Sequence, residues 1–135
     1  MITKYDPKIY PLKLYVAVGD DQRENVKKKF STDFDINQDL FSDCDAMTLM
    51  VRERKTRHLG VLIWLSRDGL GIRAVCHESS HFVCNLFDYC GISMGYENGQ
   101  DEHFAYLLGW CVECVMDSVA KYLKKSIKGQ IDTDK

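Results

Sequence analysis

A chain of 135 residues is long enough for one compact domain with a real core and too short for two comfortable ones, and 45% hydrophobic with 28% charged residues is the make-up of a folded globular protein. The formal net charge of -2, with basic residues in short separate groups such as Lys27 to Lys29 and Lys121, Lys124, Lys125, Lys128, leaves no electrostatic footprint for nucleic acid. The longest apolar run, "GVLIWL", is far short of a membrane span and the charged start "MITKYDPKIYPLKLY" is no secretory leader, so a cytoplasmic chain with its six cysteines reduced is expected.

Along the chain, "YPLKLYVAV", ending at Gly19, alternates bulky residues and reads as a first strand. "DDQRENVKKKF" suggests a short helix over 21–30, and the acidic "STDFDINQDLFSDCD" a long surface loop. "AMTLMVRERKT" and "HLGVLIWLS", joined by the polar "RKTR", fit a β-hairpin. A helical pattern runs over 70–89 with Gly91 placed to stop it. After the glycine-rich loop "GISMGYENGQ", a last helix covers about 101–125, followed by a flexible polar tail from about Gly129. The expectation is a single α+β domain over 1–135, with two long helices after a small, mainly antiparallel sheet.

Within the first of those helices stands "HESSH". Residues four apart on a helix share a face, so His77 and His81 can direct two imidazole nitrogens at one ion, and zinc accepts imidazole readily. Glu78 is turned by about 100° from His77, which suits it to reach an ion-bound water from the side as a general base. Ala74, Val75, Cys76, Phe82, Val83, Leu86 and Phe87 flank the motif, so the helix is expected to be largely buried and its polar residues costly unless satisfied. The competing reading places His77, Glu78 and His81 on a solvated stripe with Ser79, Ser80, Asn85 and Asp88.

A third ligand must come from elsewhere. Asp88 lies on the face of His81, but seven residues of helix are roughly 10 Å, too far for one coordination shell; it is expected to line the cleft. "ENGQDEHFAYLLGW" offers Glu97, Asp101, Glu102 and His103. Glu102 is preferred because it opens the last helix, and the small Ala105 and Gly109 on its face would let that helix approach the motif helix closely. "CVEC", Cys111 to Cys114, has the spacing of a redox or zinc pair but lies in an apolar helix, where cysteine behaves as a small hydrophobe; Cys76, Cys84 and Cys90 read likewise as packing residues.

"HESSH", followed on a second helix by "EHFAYLLGW", resembles the gluzincin class of zinc metallopeptidases, and is similar to small single-domain members and to metallopeptidases carried by phages and other mobile elements. The resemblance implies a zincin-like fold, zinc bound by His77, His81 and Glu102, and Glu78 as general base in peptide hydrolysis. It also implies an extended peptide substrate held by strand addition along one strand of the hairpin, 46–53 or 59–65. Where larger relatives carry an acid four residues after the ligand glutamate, this chain has Tyr106, which could orient a histidine through its hydroxyl. For the oxyanion the candidates are Tyr106, His103, Tyr96 and Tyr89, with Tyr106 first. The alternative function is a zinc-binding regulatory or interaction module of a mobile element that does not hydrolyse.

Overall fold

The computed structural model describes residues 1–32, 41 and 43–133. The elements follow as β1 (Ile2–Tyr5), β2 (Lys13–Val18), α1 (Arg23–Lys29), β3 (Phe30–Ser31), β4 (Ala46–Glu53), β5 (Leu59–Leu65), α2 (Ile72–Cys90) and α3 (Glu102–Thr133). The strands form one mixed sheet in the order β1-β2-β5-β4-β3, antiparallel throughout except for the central β2–β5 pair. The chain is α+β, as the order of its elements suggested, and β4 and β5 form the expected hairpin. β1 was not anticipated. Its four residues carry too little pattern to read alone and gain their ladder only by pairing with β2, from Ile2 opposite Ala17 to Tyr5 opposite Leu14.

Alternation along the two central strands sorts their side chains into two cores. Leu14, Val16, Val61, Ile63 and Leu65 meet Val75, Phe82, Leu86, Leu107, Cys111 and Val115 of the long helices. Tyr15, Ala17, Leu62 and Trp64 meet Val26, Phe30 and Phe41 on the other face. Trp64 anchors that second core: its Nε1 donates to the Gly19 carbonyl at 3.1 Å, and its ring stands edge-on to Phe41 at 5.1 Å. Burial on both faces explains why "GVLIWL" is an unbroken apolar run rather than an alternating one.

Across the sheet, α2 lies over β5 and β4, and α3 over β2. The two helices run antiparallel, with Phe82 beside Trp110 and Phe87 beside His103 and Phe104. Gly91 ends α2 as expected: at φ 66 its N–H donates to Asp88 O at 3.2 Å and that of Ile92 to Phe87 O at 2.9 Å, the paired bonds of a Schellman cap. α3 continues to Thr133 where a flexible tail was expected from Gly129. One glycine costs a helix only about 1 kcal/mol, and the Thr133 hydroxyl bonds back to the Gly129 and Gln130 carbonyls. The expected acidic loop at 31–45 lies largely outside the described residues. Among the described residues no helix is long and apolar enough to cross a membrane.

On the face away from α2 and α3, Glu53 is 7% exposed and is satisfied by Lys29 Nζ at 2.8 Å, by the Thr56 hydroxyl at 2.6 Å and by the Tyr15 hydroxyl at 3.4 Å. Lys29, and then Thr56, hold its carboxyl down at about 2, while burial and then the Glu53 charge push Tyr15 up to about 12. A carboxylate with a depressed folded pKa stabilises fully above its ordinary value of 4.5, and this contribution is lost as pH falls from there towards about 2. Urea midpoints measured across that window are expected to fall with pH, and to fall less steeply in Glu53→Gln, which is already the weaker protein at neutral pH. Parallel slopes for the two proteins would show that Glu53 is not the titrating group.

Candidate functional site

His77 and His81 lie one turn apart on the exposed side of α2. Their Nε2 atoms are 3.1 Å from each other and their rings stand edge-on at 4.7 Å. Glu78, turned by about 100° as the helix requires, points instead towards the sheet and is 6% exposed. There Thr48 of β4 meets it: Thr48 Oγ1 is 2.6 Å from Glu78 Oε2 and 3.0 Å from its backbone carbonyl. One hydroxyl carries one hydrogen, and the shorter contact to the carboxylate is the stronger claim on it. Neither Thr48 nor its role was legible beforehand, since the contact joins residues 30 apart in sequence across two elements.

An open cleft of about 460 Å³ lies between β4 and α2, lined by Ala46, Met47, Thr48, Glu78, His81 and Asn85. Of the two hairpin strands considered, β4 is therefore the one beside the motif; β5 is buried in the middle of the sheet. Among the described residues β3 covers β4 only at Arg52 and Glu53, and the stretch 46–50 is partly exposed. Asn85 was read only as part of a solvated stripe. It stands one turn beyond His81, and the same spacing that joined the histidines could have placed its amide in the cleft wall.

The structure does not bring Glu102 to the histidines. Its neighbour His103 stacks on Phe87 at 5.0 Å, which sets the start of α3 about 9 Å of helix rise beyond His81 and about 15 Å beyond His77. The faces also disagree. α3 turns Leu107, Cys111 and Val115 towards α2, whereas Glu102, Ala105, Tyr106 and Gly109 are exposed, and a Cβ added at Gly109 would meet nothing within 4 Å. Bulky apolar side chains decide which face is buried, so the row of small residues does not mark a close approach. Tyr106 is 76% exposed and lines a separate groove with residues of the 6–10 segment, His103 and Trp110. His103 is occupied by Ser93 O at 3.1 Å, Tyr96 is 96% exposed, and Tyr89 lies two turns beyond His81 on the β4 side of α2. Glu97, Asp101 and Asp88 are exposed.

Two Zn–N bonds of 2.0–2.1 Å at a tetrahedral angle place their nitrogens about 3.3–3.4 Å apart, close to the separation found here. The histidine pair therefore fits a metal ion as two of its ligands. Among the described residues no group of three His, Cys, Asp or Glu side chains forms around it. The C-x-x-C pair behaves as packing: Cys111 and Cys114 are buried, and burial pushes their thiols up to about 12 and about 11, far from the reactive thiolate. Comparison with known protein families, curated proteins and solved structures finds no match.

Proposed function

We propose that this chain is a zinc-dependent metallopeptidase whose working groups are His77, His81 and Glu78, arranged beside β4. The observation that carries this reading is the joint placement of two imidazole Nε2 atoms at 3.1 Å and a carboxylate held by Thr48 at 2.6 Å, with His81 and Glu78 lining one open cleft. His77 and His81 would hold the ion. Bound there, zinc would supply Lewis acidity for activating water and polarising a carbonyl. Glu78, with Oε2 tied to Thr48, offers its carboxylate to take a proton and to return it to the leaving amine. The backbone of β4 over 46–50 holds an extended peptide by strand addition, and the Asn85 amide supplies an N–H donor at the cleft wall.

A second reading, a zinc-binding module without hydrolysis, is favoured by one observation: α3 carries Glu102 away from the pair, so the described residues supply two protein ligands rather than three. Both readings are tested on untagged protein by elemental analysis and by zinc-dependent cleavage of an unstructured protein such as casein. About one zinc per chain is expected in the wild type and in Glu102→Gln, and none in His77→Ala/His81→Ala. Zinc without cleavage selects the module; loss of zinc in Glu102→Gln would show that the start of α3 reaches the histidines after all.

A further inference from the structure

The groove between β4 and α2 does not end at His81. Side chains alternate along a strand, so Ala46, Thr48, Met50 and Arg52 form one row, and that row faces the long helices: Thr48 bonds Glu78, while Ala46 and Met50 pack against the helix-side core. Met47 and Leu49 pack on the opposite core. Followed from Thr48 at about 3.3 Å per residue, the row reaches Arg52 about 13 Å further on. A second hollow of about 430 Å³ opens there, walled by Met50, Leu59 and Tyr89 and, at the end of β3, by Ser31 and Thr32, and carrying Arg52 and Arg57.

Among the described residues neither guanidinium has a counter-charge. Arg52 Nη1 donates to the Arg57 carbonyl at 2.8 Å, which steadies its planar fork across the hairpin turn and leaves further N–H groups. Neither arginine takes part in an ion pair among the described residues. The adjacent carboxylate, Glu53, projects to the other face of the sheet, where Lys29 and Thr56 engage it. In a chain of net charge -2, two exposed arginines lining one hollow, with no acid among the described residues that line it, are a local concentration of positive charge. Two forks beside an aliphatic and aromatic wall suit a carboxylate carried on a short apolar stem.

We infer that this hollow is a subsite for a carboxylate, carried by a peptide that lies along the 46–50 stretch of β4 and reaches the arginines where β3 begins to cover the strand, about 13 Å from Thr48. Cleavage of that peptide rests on the peptidase reading; the binding of the carboxylate does not. The carboxylate can come from an Asp or Glu side chain or from the C-terminus of the peptide, and both are accommodated by the same forks.

The test is fluorescence anisotropy on the full chain kept metal-free with EDTA, so that nothing is cleaved. The probes are fluorescein-labelled, alanine-rich blocked peptides in which one Glu is moved position by position, each paired with its Gln counterpart. A third set is truncated to end in a free carboxylate at each position. Glu is expected to bind about tenfold more tightly than Gln at one position only, the size of one charge-assisted hydrogen bond. A free C-terminus at that position binding better than the internal Glu would identify the peptide end as the source. Arg52→Gln/Arg57→Gln should remove the preference, and Arg57→Glu should transfer it to a peptide bearing Lys, a gain that an unfolded variant cannot mimic. Equal binding of Glu and Gln at every position, or a preference that survives loss of both arginines, would overturn the subsite. A preference that follows the arginines in a chain whose zinc form cleaves nothing leaves the subsite standing and removes the peptidase. Cleavage without any acid preference does the reverse.

Discussion

Glu78→Gln is expected to lower peptide hydrolysis by about 10²–10⁴-fold with zinc binding unchanged, the span typical of removing a positioned general base. The amide has the size of the carboxylate and its carbonyl can still accept from Thr48, so neither the helix nor the histidines should move. What is lost is the capacity to take a proton. Thr48→Val should reproduce part of this effect, about tenfold in kcat with little change in KM, because Glu78 Oε2 loses its 2.6 Å donor and the carboxylate its fixed orientation. Thr48→Ser, which keeps the hydroxyl, should restore most of the rate. The measurement is kcat and KM at fixed zinc occupancy. Undiminished turnover in Glu78→Gln would remove Glu78 from the chemistry and leave the histidine pair as a binding site only.

Phe82→Ala is expected to cost about 3–5 kcal/mol of folding stability, the usual penalty for emptying a buried aromatic position. Phe82 follows His81 directly yet is fully buried, its ring 6.1 Å from that of Trp110, and it belongs to the core shared by the sheet, α2 and α3. The neighbouring residues thus perform opposite tasks, one facing solvent and the other joining two helices to the sheet. Equilibrium denaturation should show the full loss, and the folded fraction should still bind zinc, since the histidines lie on the outer face. A cost under about 1 kcal/mol would mean that α3 does not pack on α2 at this level.

Much of the architecture was legible because it depends on local periodicity. The hairpin followed from two apolar runs around "RKTR", and the end of α2 from Gly91, whose positive φ an ordinary side chain would resist. β1 and the last turns of α3 were not legible. β1 exists only through β2, and the helix passes Gly129 because the local penalty is small.

The site divides in the same way. That His77 and His81 share a face and that Glu78 is turned away from it are consequences of helix geometry, and the sequence by itself determined them. Which element Glu78 would meet, which hairpin strand would flank the motif, and where Glu102 and Tyr106 would lie were decided only by tertiary packing. The reason is that a helix buries the face with the most apolar area, whatever its polar residues could otherwise do. Phe82, Leu86, Leu107, Cys111 and Val115 lock α2 and α3 together through one pair of faces, turning Glu102 and Tyr106 towards solvent and Glu78 towards Thr48.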